Sequence, residues 1–281
     1  MMANHPRLPL ELIEQIIDKV ARPLDYDPFR YQRPDFPSLK ICALVCHSFL
    51  DLCRKHIFGS VSLSKSPSSD DLNHLLSNSP HLAVYIRELG YFVNQKEFDR
   101  ERLPWLSSMF KKLVKLQKLI IGHRNSQRRT RVDWTSSFMR KALLPLLHLP
   151  TLTSITFLAT KNFTPADLAG CGSLKKLRIE YSECSTSRAG KFLQTLPASP
   201  PMLEELMLTD DNVVQRLCHV RRPDGKPIID FSSLKKLQAS VGQLDLWSEF
   251  FGMCRNLHQI SLSCMSLSRI SSLHPFDVFS S

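Results

Sequence analysis

Residues 174–179 read Leu-Lys-Lys-Leu-Arg-Ile, and this spelling decides the fold because it keeps returning. The pattern Leu-x-x-Leu-x-Leu, with Ile, Phe, Tyr or Ala as substitutes, occurs at Ile86/Leu89/Tyr91, Leu116/Leu119/Ile121 and Leu152/Ile155/Phe157. It continues at Leu174/Leu177/Ile179, Leu203/Leu206/Leu208, Leu234/Leu237/Ala239 and Leu257/Ile260/Leu262. First positions lie 22 to 36 residues apart. The alternating half of each unit predicts a strand with one buried face. Stretches 69–77, 103–113, 135–147, 187–196 and 246–251 carry helical periodicity between the strands. Residues 56–63 predict an irregular strand ahead of them. Strands separated by helices predict a parallel sheet with the helices outside, since parallel neighbours need a crossover.

The N-terminal part has a different texture. Residues 8–20 read Leu-Pro-Leu-Glu-Leu-Ile-Glu-Gln-Ile-Ile-Asp-Lys-Val. Leu12, Ile13, Ile16, Ile17 and Val20 recur at helical spacing. Pro9 suits a first helical turn and Glu11 its positive end, so a helix is predicted from about 10 to 21. Residues 22–38 hold Pro23, Pro28, Pro34 and Pro37, which predicts a loop. Ile41, Leu44, Val45, Phe49 and Leu52 then predict one helix or two short ones over 39–56.

The order Leu8-Pro9-x-Glu11-Leu12-Ile13-x-x-Ile16-Ile17, then Val45-Cys46-x-x-Phe49-x-x-Leu52, then Ile57-Phe58, resembles an F-box. The repeats behind it resemble a degenerate leucine-rich-repeat array. The chain departs from the F-box pattern in its long proline insertion and in Phe58, where the family often has Trp. It departs from the repeat pattern in lacking the usual asparagine after each strand; Glu183, Asp211 and Cys264 stand near that place.

The two resemblances together imply an F-box/leucine-rich-repeat adaptor. The implied fold is α+β overall: a small all-α module at 6–58, with its insertion at 22–38, then an irregular α/β solenoid with a parallel sheet at 59–265. Residues 266–281 are a tail or partial cap. The implied function is substrate recognition in an SCF-type cullin–RING ubiquitin ligase. The Skp adaptor, and cullin through it, would dock on Leu8, Pro9, Leu12, Ile13, Ile16, Ile17, Leu44, Val45 and Phe49. A protein substrate would lie on the concave strand face, where Lys118, Lys176, Arg178, Glu205, Met207, Lys236 and Gln238 point. The basic lean of that face suits an acidic or phosphorylated peptide.

Net charge is +11, and residues 100–141 carry nearly all of it, with twelve cations against Glu101 and Asp133. This window supplies the alternative reading, a basic repeat protein that binds nucleic acid. Trp105, Phe110, Trp134 and Phe138 are interleaved with the cations and could stack on bases. No apolar run is long enough to span a membrane. Eight cysteines without a secretory leader fit reduced thiols in the cytoplasm or nucleus.

Cys42, Cys46, Cys53 and His56 lack the usual zinc-ligand spacing and read as core residues. The chain spells no nucleophile elbow, Walker loop, zinc-protease motif or dinucleotide fingerprint. Asp70-Asp71 reads as a helix opening, and Asp210-Asp211 lacks a third partner for chemistry. No catalytic residue, metal or cofactor is therefore expected.

Overall fold

The structure is a computed structural model. It describes residues 9–21, 36–63, 66–92, 103–123, 131–135, 137–185, 197, 199–242 and 244–264. It is a mixed α/β fold whose main element is an open, eight-stranded, fully parallel sheet. Its strands are β1 (Ser60–Leu63), β2 (Glu88–Phe92), β3 (Lys118–Gly122), β5 (Ser154–Leu158), β7 (Lys176–Glu180), β8 (Glu205–Leu208), β9 (Lys236–Val241) and β10 (Gln259–Cys264). They lie side by side in chain order. A short side pair, β4 (Val132–Asp133) with β6 (Thr160–Lys161), completes the strands among the described residues.

Every recurrence of the Leu-x-x-Leu-x-Leu spelling is a strand of this sheet. The first leucine sits two residues ahead of its strand, and the next two project from one face. The result is three stacked apolar ladders. One runs Ile86, Leu116, Leu152, Leu174, Leu203, Leu234. The second runs Leu89, Leu119, Ile155, Leu177, Leu206, Leu237. The third runs Tyr91, Ile121, Phe157, Ile179, Leu208, Ala239. All are buried. Burying a side chain of this size contributes roughly 1.5–3 kcal/mol. The same rows end exposed in β10, with Ile260 at 52% and Leu262 at 44%, because β10 is the last strand among the described residues.

A second regularity joins the repeats. The carbonyls of Gly59, Arg87, Gln117, Thr153, Lys175, Glu204 and Lys235 each accept two consecutive N–H groups from the next repeat, at 2.7–3.1 Å. One bifurcated step thus sets the register of each strand against the one before it.

The connections cover the buried side. Among the described residues they are α4 (Ser66–Asn78), a 3-10 turn at Pro80–Tyr85, α5 (Leu103–Lys111), α6 (Ser137–Leu147), a 3-10 turn at Pro165–Gly170, α7 (Asp211–His219), and a 3-10 turn at Leu244–Trp247 leading into α8 (Ser248–Met253). The segment 187–196 lies outside the described residues. Asp70 and Asp71 fall inside α4 instead of opening it, since the helix starts at Ser66. Asp210 and Asp211, adjacent carboxylates without a third partner for chemistry, have structural partners at the start of α7. Asp210 is its N-cap, accepting from Asn212 N at 2.9 Å. Asp211 accepts from Gly242 N and Trp247 Nε1, both at 2.8 Å. It fastens one repeat to the next, near the place where the repeat pattern expects asparagine.

The described N-terminal residues form three helices, α1 (Leu10–Ala21), α2 (Phe36–Cys42) and α3 (His47–Ile57). The predicted loop therefore ends earlier than residue 38. Pro37 occupies a first turn, where its missing N–H costs nothing, and Leu39 is fully buried. Ile17, Ala21, Leu39, Leu52 and Cys53 form a core separate from that of the sheet. Lys55–Glu14 (3.1 Å) and His56–Asp18 (2.9 Å) tie α3 to α1. The chain crosses from one core to the other through Phe58 and Gly59. A Cβ at Gly59 would run into the Lys55 carbonyl oxygen, so the tight exit from α3 needs glycine.

One buried ion pair stiffens the outer layer. Asp167 accepts from Trp134 Nε1 at 2.8 Å, Arg140 Nε at 3.0 Å and Arg140 Nη2 at 2.6 Å. Asp167 is 2% exposed, so removing it leaves a guanidinium and an indole N–H short of a buried acceptor. Asp167→Ala is expected to cost about 3 kcal/mol. In a thermal melt that lowers the midpoint by roughly 6–12 °C.

Candidate functional site

Two surfaces stand apart from the cores. The first is a groove across the sheet face opposite the apolar ladders, with a volume of about 790 Å³. Strand alternation puts every second residue into it. Lys118, Lys176, Arg178, Glu205, Met207, Lys236 and Gln238, the residues predicted to meet a substrate, all line it. Arg87, Glu88, Ser154 and Thr156 line it too.

Its electrostatics differ from a simple basic strip, because each predicted cation has a carboxylate neighbour. Lys118 pairs with Glu88 at 2.8 Å. Lys176 and Lys236 share Glu205 at 3.0 and 3.7 Å. Arg178 bonds Glu180 two residues on. Glu88 and Glu180 escaped the sequence reading, although parallel register with the first strand residues would have placed Glu88 beside Lys118.

Just below, Lys175 and Lys235 grip Glu204 at 2.9 and 3.0 Å. The two ammonium groups hold its carboxyl down to about 2, against an ordinary value near 4.5. A carboxyl depressed in the folded state contributes stability above its unfolded value and loses it as pH falls through the folded one. An NMR titration is therefore expected to show Glu204 protonating near pH 2. A Lys175→Ala/Lys235→Ala variant should move that midpoint back toward the ordinary carboxylate range.

The second surface lies on the N-terminal helices. The apolar stripe of α1 splits into two rows. Ile13, Ile17 and Ala21 face the small core, and Leu12 and Ile16 face outward. Leu10 is also exposed, as are Ile41, Leu44 and Val45 at the end of α2 and in the turn after it; Leu44 is 86% exposed. Among the residues predicted to meet the Skp adaptor, Pro9, Leu12, Ile16, Leu44 and Val45 are exposed and Ile13 and Phe49 half-buried. Ile17, the other described residue of that set, is 0% exposed and belongs to the small core. Leu8 lies outside the described residues. Leu10 and Ile41, missed in the sequence, are revealed only by which side of each helix the core takes.

The basic window is largely built into the fold where it is described. Lys118 pairs with Glu88, Arg131 with Glu183 and Arg140 with Asp167, while Lys112 Nζ donates to the Leu76 carbonyl at 3.4 Å. Phe110 and Trp134 are core residues, and Trp105 packs against the same core. Arg100, Arg102, Arg124, Arg128, Arg129 and the Phe138 side chain lie outside the described residues.

Among the described cysteines Cys53, Cys171 and Cys218 are buried thiols, whereas Cys46, expected in the core, is exposed at the start of α3. Burial raises Cys53, helped by neighbouring Cys42, and burial raises Cys218 to about 12. Among the described residues no helix is long and apolar enough to cross a membrane. Compared with models of known protein families, the chain matches none. No curated protein is significantly similar to it.

Proposed function

We propose that the chain is the substrate-recognition subunit of an SCF-type cullin–RING ubiquitin ligase. In this reading α1–α3 are an F-box that docks the Skp adaptor, and the parallel sheet is a leucine-rich-repeat array that holds a protein substrate. The observation that carries it is the outward row of α1. Leu12 and Ile16 stay exposed although Ile17, Ala21, Leu39, Leu52 and Cys53 already complete the module's core. An apolar helical face left over after its own core is filled is what a groove-bearing partner buries. These residues are also the ones that spell the F-box resemblance. The protein would perform no chemistry itself; it would raise the local concentration of substrate beside the ubiquitin-charged partner. The reading is preferred to nucleic-acid binding because Lys118, Arg131 and Arg140 already have carboxylate partners.

The test is co-expression with the Skp adaptor followed by size-exclusion chromatography. The wild-type chain is expected to co-elute with it. Leu12→Asp and Ile16→Asp are each expected to weaken binding by about 30-fold, the effect of losing an interface anchor, with no change in the thermal midpoint. Ile17→Asp is expected to unfold the module. A folded wild-type chain that elutes alone would overturn the reading.

A further inference from the structure

At the edge of the sheet where the strands begin, the entries to β2, β3 and β5 stack on one another. The Arg87 carbonyl accepts from the N–H groups of Gln117 and Lys118, and the Gln117 carbonyl from those of Thr153 and Ser154. Two residues ahead of the buried Ile86, Leu116 and Leu152 stand Val84, Val114 and Pro150. All three are exposed, Val84 at 46% and Val114 at 51%. Neighbouring strands lie about 4.8 Å apart, so register sets the three side by side as one short apolar strip. Its middle is fixed by hydrogen bonds. Thr151 Oγ1 donates to the Val114 carbonyl at 3.2 Å, and Arg87 Nη1 donates to the Lys115 carbonyl at 3.4 Å.

The same rim carries charge of one sign. Residues 72–87, 103–117 and 134–153 run from the outer layer into these three strands and contain no Asp or Glu. Nearest the strip are Arg87, Lys111, Lys112 and Lys115. Arg87 and Lys112 donate to carbonyls, which leaves their charge uncancelled, and Lys111 and Lys115 are exposed. Among the described residues none of the four has a carboxylate partner. Glu88, the next carboxylate along the chain, lines the groove and holds Lys118. Farther along the same edge the pattern differs, because Lys175 and Lys235 have Glu204 between them. The edge is neutralised at the entries to β7, β8 and β9 and left basic at the entries to β2 and β3.

We infer that this rim is a docking surface for an acidic peptide segment with aliphatic side chains among its carboxylates. The cations have no carboxylate of their own, so an anionic partner meets their field without first displacing an ion pair. The apolar strip lies among those cations, so the partner that covers both must bring aliphatic groups as well as charge. A nucleic-acid backbone offers phosphate alone, and nothing that buries Val84 or Val114. Bases would also find no stacking platform in the described aromatics of α5, since Phe110 is buried and Trp105 packs against the core. The rim is separate from the groove and from the Leu12–Ile16 row, and the inference does not rest on the ligase reading.

The test is fluorescence anisotropy with the full chain and a labelled peptide of alternating acidic and leucine residues. A second peptide has Asn and Gln for the acids, a third has Ser for the leucines, and the fourth probe is oligouridine. The acidic leucine peptide is expected to bind, more weakly as salt rises. Both control peptides are expected to bind at least about tenfold more weakly. Lys111→Ala/Lys115→Ala and Val114→Ser should each weaken the first peptide by at least about fivefold. Neither should move the thermal midpoint, because all three side chains are exposed. Lys111→Arg/Lys115→Arg should retain binding, and Lys176→Ala/Lys236→Ala, in the groove, should bind as the wild type does. No binding, binding that survives the rim variants, equal binding of the serine peptide, loss through the groove variant instead, or tighter binding of oligouridine would each overturn the site. Co-elution with the Skp adaptor is read on the same variants and should not change, so failure of either reading leaves the other standing.

Discussion

The bifurcated hydrogen bond from one carbonyl to two N–H groups of the next repeat is the constraint on which the rest of the structure depends. It recurs from Gly59 through Lys235 and allows one register per step. A slip of a single residue would turn the leucine rows toward the groove and the lysine row toward the core. The connections differ in length and in kind, from a full helix such as α6 to the single 3-10 turn of Pro165–Gly170. The register does not drift, because it is set at the strand's start and not by what happens between strands. Irregular spacing in the sequence is therefore compatible with a regular sheet.

Register also explains why the groove is a charge ladder instead of a basic strip. Strands β7, β8 and β9 are entered through Lys175-Lys176, Glu204-Glu205 and Lys235-Lys236. In sequence these are three unrelated doublets separated by about a repeat. Side by side they become two rows of lysine, glutamate, lysine, in which each carboxylate is shared. Exposed pairs of this kind add little stability. Their effect is to set a carboxylate beside each lysine of the row, which turns a basic strip into a mixed polar surface.

The N-terminal helices show the complementary case, in which packing divides a stripe. Helix α1 is apolar over more of its circumference than a three-helix core can use. Ile13, Ile17 and Ala21 satisfy α2 and α3, and Leu12 and Ile16 remain outside. The junction at Phe58-Gly59 is short, so the module is fastened directly to the first strand; the Gly59 carbonyl itself begins the hydrogen-bond ladder.

The sequence by itself determined the parallel α/β arrangement, the position of each of the seven leucine-pattern strands and the helix at Leu10–Ala21, because apolar periodicity is local and survives irregular spacing. It also marked the groove residues, since alternation places them once the strands are known. It did not show α7, whose start is signalled by an Asp210 cap that reads equally as an isolated carboxylate. Nor did it show that Ile17 is interior while Ile16 is not, because neighbours on one stripe differ only by which helix comes to cover them. The pairing of Lys118 with Glu88 and of Lys176 and Lys236 with Glu205 was decided by the tertiary structure alone. Those partners are some thirty residues apart in the chain, and only strand register brings their charges within reach of each other.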